Sequence, residues 1–219
     1  MSNPKRLIFE QLAELARSLG HAHRLELLEH LAQGERSVET LAQRTGLTVA
    51  NASQHLQHLR RHGFAQTRRD GKRVLYRLGE GPILDVLASF RRLAEHNVAE
   101  VREIVADCFS RLDDLEAVSR EELSQRLREG SVTLLDVRPR DEFELGHLPG
   151  ALNIPSSELQ RRLADLPPDQ EVVAYCRGAY CVLSFEAVAT LRRLGYRVRR
   201  LEDGYPEWKA AGLPVEAHS

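Results

Sequence analysis

Apolar residues recur at helical spacing at the start of this chain. Leu7, Ile8, Leu12 and Leu15 form one set, and Leu25, Leu27, Leu28 and Leu31 form a second after His21, with Gly34 as its stop signal. Ser37 is placed to cap a helix from Val38 to Arg44 that Gly46 ends. Thr48 caps a longer one to about His62, with Ala52, Leu56 and Leu59 on its inner face. A short helix, a glycine turn and a second helix make a helix-turn-helix. The period then changes: from Phe64 to Leu78 two alternating runs flank Asp70-Gly71, which predicts a β-hairpin with a type I′ turn. Helical spacing returns from Ile83 to Leu112, where Ile83, Leu87, Phe90, Ala94, Val98, Val101, Val105 and Leu112 predict one long helix with a single broad apolar stripe. A small domain cannot hide such a stripe, so a dimer seam is expected, presenting two recognition helices to a pseudo-palindromic site.

Residues 113–118 read as a short junction. Ser119-Arg120-Glu121-Glu122 is a capping box opening a helix to about Arg128, with Gly130 past its end. Buried strands are predicted at 132–137, 171–175 and 198–201, alternating with helices near 156–164 and 181–194. That rhythm indicates an α/β domain with a mostly parallel sheet. The expected organisation is a mainly α winged helix-turn-helix domain over 1–112 and an α/β domain over 118–219.

Composition narrows the class. Of 219 residues, 42% are hydrophobic and 29% charged, ordinary for a globular protein. The apolar runs fall far below the roughly 18 residues of a membrane span. The N-terminus lacks the apolar core of a signal peptide, so no membrane and a cytoplasmic location are expected. Three cysteines are too few for a disulfide framework and read as catalytic, redox or core residues. The net charge of −1 hides an asymmetry: residues 1–115 hold 17 basic and 15 acidic residues, residues 116–219 hold 14 and 17. Between His55 and Arg77 stand Arg60, Arg61, Arg68, Arg69, Lys72, Arg73 and Arg77 against the single acid Asp70. A one-sign block of that density points to a polyanion, and double-stranded DNA is the expected partner. Thr48, Asn51, Ser53, Gln54, His55 and His58 lie at the start or outer face of the second helix, where base edges or phosphates would sit. Arg68, Arg69, Lys72 and Arg73 form a basic wing suited to backbone contacts.

The densest chemistry lies in Val172-Val173-Ala174-Tyr175-Cys176-Arg177-Gly178-Ala179-Tyr180-Cys181. A buried strand feeding a loop and then a helix N-terminus gathers backbone N–H groups around one point. A thiolate there is stabilised and becomes nucleophilic near neutral pH. Ligands of parallel sheets bind at strand carboxyl ends, where Cys176 lies. Cys108, near the stripe of the long helix, is either a small buried hydrophobe or a redox sensor.

Two resemblances follow. Residues 5–105, through Thr48-Val49-Ala50-Asn51-Ala52-Ser53-Gln54-His55-Leu56-Gln57-His58-Leu59 and the wing, resemble the ArsR/SmtB family of dimeric winged-helix repressors. Neither common metal site of that family is present: Ser37 to Ala42 holds no cysteine, and Asp85 is followed two places on by Leu87. His96 and Glu100 are read as exposed helix residues, so no metal and no cofactor is expected. Residues 118–215 resemble a rhodanese domain. The carrying motifs are Leu135-Asp136-Val137-Arg138, Glu142-Phe143, Gly146-His147-Leu148-Pro149-Gly150-Ala151-Leu152-Asn153-Ile154-Pro155, the strand and loop of Cys176, and Leu201-Glu202-Asp203-Gly204-Tyr205-Pro206-Glu207-Trp208. This resemblance implies that Cys176 takes a sulfane sulfur as a persulfide and that the N–H groups of Arg177 to Cys181 hold the terminal sulfur. Arg177 either attracts an anionic donor such as thiosulfate or faces solvent. Asp136, Arg138 and His147 fix loops. Asp203 stands where glycine is more usual. Cys181 stands where rhodaneses often carry arginine or another polar residue. It either resolves a Cys176 persulfide or sulfenic acid or simply opens a helix, and a simple disulfide needs Cα atoms within about 7 Å. A phosphatase-like loop would need arginine six places after Cys176; Val182 is there, so sulfur chemistry is favoured.

The expectation is therefore a DNA-binding transcriptional regulator whose rhodanese domain senses or transfers sulfane sulfur from thiosulfate or a thiol persulfide. The alternative is a sulfurtransferase tethered to DNA without sulfur-dependent regulation.

Overall fold

A computed structural model describes residues 3–106, 117–178 and 180–217. Two compact units form, residues 1–83 and 84–219. Leu112 and Cys108, singled out above, lie outside the described residues, as does the junction up to residue 116.

In the first unit, α1 (Pro4–Leu19) starts at the Asn3 cap, and α2 (Ala22–Ala32) starts at His21, whose ring accepts from the His23 N–H. Ser37 and Thr48 cap α3 (Val38–Arg44) and α4 (Val49–Arg61) as expected, accepting from the N–H groups of Thr40 and Asn51. Gly46 turns between these helices at φ 65°, a left-handed conformation that glycine adopts without cost. Leu27, Leu28, Leu41, Leu56 and Leu59 are fully buried and make the core. Two strands, β2 (Ala65–Asp70) and β3 (Arg73–Leu78), form the wing. The two-residue strand β1 (Arg36–Ser37) pairs with β3 as a third member, an element too short for periodicity to announce.

The hairpin turn differs from expectation. Asp70 pairs with Arg73, so the loop is Gly71-Lys72, one residue later than Asp70-Gly71. Only Gly71 has positive φ, the pattern of a type II′ turn with glycine at its first loop position.

The single long helix over Ile83 to Leu112 is also corrected. The first unit ends at Ile83, the first residue of α5 (Ile83–Asn97), and a separate α6 (Ala99–Val105) follows. Asn97 donates to the Leu93 carbonyl, and Arg102 donates to the carbonyls of His96 and Glu95. These bonds satisfy the end of α5 and stop it. The apolar residues of α5 divide between two faces: Leu84, Leu87, Ala88 and Ala94 are half-buried, whereas Phe90 is 52% and Leu93 57% exposed.

In the second unit, four strands form a parallel sheet in the order β5 (Leu152–Asn153), β4 (Val132–Asp136), β6 (Glu171–Tyr175), β7 (Val198–Arg200). Side chains of β6 alternate between two apolar layers. Val172 and Ala174 face α9 (Val182–Arg193) together with Leu135, Val188 and Leu191. Val173 and Tyr175 face α7 (Arg120–Glu129) and α10 (Tyr205–Ala210) together with Leu123, Leu201 and Trp208. The helix expected near 156–164 is instead two 3-10 turns, Ser156–Arg161 and Leu163–Asp165. With only Leu159, Leu163 and the small Ala164 apolar, that segment has too narrow a stripe to hold an α-helix to the sheet.

At the carboxyl end of β4, Asp136 and Arg138 are both fully buried and joined at 2.6 Å. Arg138 also donates to the Gly146 carbonyl at 2.7 Å, with its guanidinium 4.4 Å from the Tyr205 ring centroid. Removing one partner leaves the other charge buried and unpaired. Arg138→Ala is therefore expected to destabilise this unit by about 3–5 kcal/mol. Urea unfolding followed through Trp208, the chain's one tryptophan, measures this; a loss below about 1 kcal/mol would show the pair to be dispensable.

Candidate functional site

The first candidate surface is the recognition helix and wing. Thr48, Asn51 and Gln54 are exposed and Ser53 is half-exposed, with Ser53 Oγ accepting from Gln57 Nε2. His55 and His58 are only half-exposed. The His55 ring packs 4.4 Å from His21 and 6.0 Å from His23, and His58 lies 4.6 Å from His62. Burial lowers the pKa of His55, helped by His21, Arg24 and His23; burial and then Arg24 and His62 lower that of His58. Neutral rings therefore persist to lower pH than for a free histidine. On the wing, Arg69, Lys72 and Arg73 are exposed. Arg68 is exposed too, but its Nε donates to Glu35 at 2.6 Å. Among the described residues no group of three or more His, Cys, Asp or Glu is arranged to hold a metal ion.

The second candidate site is built at the end of β6. Cys176 continues the alternation of that strand and falls in the layer facing α9, 1% exposed. Cys181 is the N-cap residue of α9 and joins the same layer, 7% exposed. A disulfide links them, with Cα atoms 6.2 Å apart, inside the distance that a simple bridge requires. The loop is anchored on several sides. The Tyr205 N–H donates to the Cys176 carbonyl at 3.1 Å, and Ser184 Oγ donates to the Cys181 carbonyl at 3.0 Å. The Cys181 N–H itself donates to the Gly178 carbonyl at 3.1 Å, so in this form it turns toward the loop's own backbone.

Gly204 is the tightest point of the assembly. A Cβ there would stand 2.3 Å from the Gly178 nitrogen and 2.6 Å from the Cys176 oxygen, so only glycine lets the two backbones meet. Its neighbour Asp203, the departure noted above, pairs with Arg120 of α7 at 2.7 Å. Burial raises the Asp203 pKa, an effect that Arg120 opposes.

Arg177 forms a two-point ion pair with Glu142, at 2.9 Å from Nε and 2.8 Å from Nη2. Glu142 is fully buried, so much of the Arg177 charge is engaged in holding the loop. His147 is buried, its Nδ1 donating to the Phe143 carbonyl at 2.9 Å and its ring stacked on Phe143.

Periodicity did not reveal the residues of α5 that touch this loop. The Tyr180 hydroxyl donates to Glu95. Arg91 pairs with Glu207 at 3.0 Å and lies 5.8 Å from the Tyr180 ring centroid. Glu207 also accepts from the Gly204 N–H at 3.2 Å. Arg91 and Glu95 carry no local sequence signal, because their partners lie 85 residues or more away in sequence.

Comparison with known proteins bears on both surfaces. Residues 119–211 match the rhodanese-like domain family and residues 19–68 a helix-turn-helix domain family. The HTH-type transcriptional regulator Rv0324 of Mycobacterium tuberculosis is 43% identical over 98% of this chain and 94% of its own length. A sulfurtransferase of Allochromatium vinosum is 38% identical over 46% of this chain and 94% of its own length. The solution structure of a homodimeric winged helix-turn-helix DNA-binding domain from Mycobacterium bovis is 33% identical, covering 46% of this chain and 93% of that one with a TM-score of 0.42.

Burial and the Glu95 hydrogen bond raise the Tyr180 pKa to about 12. Because the protonated form is favoured in the fold, the stabilisation is complete below the ordinary tyrosine pKa of about 10 and disappears as pH rises from there through about 12. Subtracting the phenolate absorbance of Tyr180→Phe from that of the wild type is expected to leave one group titrating near 12; a midpoint near the ordinary value would contradict the hydrogen bond.

Proposed function

This chain belongs to the ArsR-type helix-turn-helix transcriptional regulators that carry a C-terminal rhodanese domain, and on that footing we propose that it regulates transcription in response to sulfane sulfur handled at Cys176. The single observation carrying the reading is the cysteine pair of Cys176 and Cys181, closed at the end of a buried strand in a chain that also bears a DNA-binding unit.

The chemistry balances without further cofactors. The Cys176 thiolate attacks the sulfane sulfur of a donor. Thiosulfate then leaves sulfite, or a thiol persulfide leaves the thiol, and Cys176 becomes a persulfide. The Cys181 thiol gives up its proton and attacks the Cys176 Sγ, expelling hydrosulfide and closing the bridge. The sulfane sulfur is reduced and the two cysteines are oxidised. An external dithiol reopens the bridge and is itself oxidised. A Cα separation of 6.2 Å supports this resolving role for Cys181. Arg177, engaged with Glu142, supports the loop and contributes positive charge beside it rather than a free anion-binding group.

DNA recognition rests on α4 and the wing. Thr48, Asn51, Ser53 and Gln54 offer short polar groups to base edges or phosphates, with His55 and His58 behind them. Arg69, Lys72 and Arg73 take phosphates, and Arg68 joins them once it leaves Glu35. A homodimer accounts for the exposed apolar residues Leu7, Ile8, Phe9, Leu12 and Leu15 of α1, and separately for Val86, Phe90 and Leu93 of α5. No helix among the described residues is long and apolar enough to cross a membrane.

Two outcomes are expected. Loading with a persulfide donor changes affinity for the DNA upstream of its own gene by at least about fivefold, and Cys176→Ser abolishes the change. Electrophoretic mobility shift at fixed salt reads this. Unchanged affinity, with Cys176 persulfidated by mass spectrometry, would instead make the chain a sulfurtransferase tethered to DNA. Separately, Lys72→Ala and Arg73→Ala are each expected to flatten the slope of log affinity against log salt by about 1.8 for a bound homodimer, about 0.9 from each protomer. An unchanged slope would remove that residue from the phosphate contacts.

A further inference from the structure

Glu95 and Arg91 stand one turn apart on α5 and meet the sulfur loop at two points. Tyr180, the residue immediately before Cys181, donates its hydroxyl to Glu95. Arg91 reaches past the Tyr180 ring to Glu207, which in turn holds the Gly204 N–H against which the loop backbone is packed. Arg91 Nη1 lies 3.6 Å from the position that a Cβ on Gly178 would occupy. Residues 178 and 180 of the six-residue stretch from Cys176 to Cys181 therefore face this helix.

We propose that α5 is the receiving arm of the sulfur site, with Tyr180 as the lever that reports whether the Cys176–Cys181 bridge is closed and Glu95 as the group that registers it. The proposal rests on the sulfur-responsive reading above and names the contact through which that response leaves the loop.

The argument is one of constraint. With the bridge closed, residues 176–181 form a covalent ring anchored at the Cys176 and Cys181 carbonyls, and Tyr180 is held inside it. With the bridge open, the two sulfurs separate from a bond to van der Waals distance, about 3.5–4 Å. The residue bonded to Cys181 is Tyr180. Its phenol stays protonated throughout the physiological range, so it remains a donor to Glu95 and any displacement of the loop is transmitted rather than titrated away. The first residue of α5, Ile83, is 6% exposed and is also the last residue of the first unit. The helix that Tyr180 grips is thus covalently continuous with the DNA reader. Arg91 lies beside both Gly178 and the Tyr180 ring, whereas the hydroxyl of Tyr180 donates to Glu95, so in this proposal the Tyr180–Glu95 bond is the contact that the bridge controls.

The test uses the full-length protein in two states, bridged and opened by a phosphine reductant, with hydrogen exchange of α5 followed by mass spectrometry. Opening the bridge is expected to speed exchange in residues 88–97 by at least about fivefold. Tyr180→Phe and Glu95→Ala, which remove the contact from opposite sides, should erase the difference between states, and Glu95→Gln, which keeps an acceptor, should restore part of it. Exchange of α5 that is indifferent to the bridge in the wild type overturns the proposal. So does a difference that survives in both Tyr180→Phe and Glu95→Ala. Operator affinity measured on the same samples separates the two readings. If α5 responds and DNA affinity does not, the lever stands and sulfur-dependent regulation falls; if DNA affinity responds and α5 does not, regulation stands and the lever falls.

Discussion

The rhodanese half of this protein depends on the close approach of two backbones, Gly204 against the segment from Cys176 to Gly178. The missing side chain at 204 lets the loop after β6 lie directly on the start of α10. Once that approach is made, other bonds follow from it. Tyr205 can reach the Cys176 carbonyl, Glu207 can close back on the Gly204 N–H, and Arg91 can meet Glu207 from α5. Such confinement fixes the loop around Cys176 in advance, as the proposed chemistry requires.

Charge is arranged to the same end. Asp136 with Arg138 and Glu142 with Arg177 are ion pairs at the carboxyl ends of strands, each with at least one fully buried partner. Either member alone would be costly in that setting, so each pair specifies the geometry of its loop more than it adds stability. Two arginines at these strand ends invite reading as an anion trap, yet both are committed to buried carboxylates. Any positive potential at the sulfur is what remains after this neutralisation.

Much of this architecture was legible in the order of residues. Caps at Ser37 and Thr48, the change of period at Phe64 and the apolar strand ending on Cys176 each carry a local physical cause, and each element formed. What escaped has causes that are not local. The strands β1 and β5 are two residues long and owe their existence to partners. The break between α5 and α6 was invisible because apolar spacing continues across it, whereas Asn97 and Arg102 end the helix through hydrogen bonds. The wing turn moved by one residue because Gly71 at the first loop position suits a II′ turn as well as it suits the second position of a I′ turn. At the site, the cysteine pair could be named from spacing and its closure could be judged only from distance. Glu95 had no signal at all, since its meaning comes from a tyrosine 85 residues later.

If the wing takes phosphates as proposed, the ion pair of Arg68 with Glu35 is a built-in rival for them. A phosphate that captures Arg68 must displace a carboxylate, which then stays close to the polyanion it has just yielded to. In that contact, part of each capture is offset by repulsion, so the wing would hold phosphates less tightly than its count of basic residues suggests. Under the proposed role, that internal competitor would weaken a wing contact without altering which bases α4 meets.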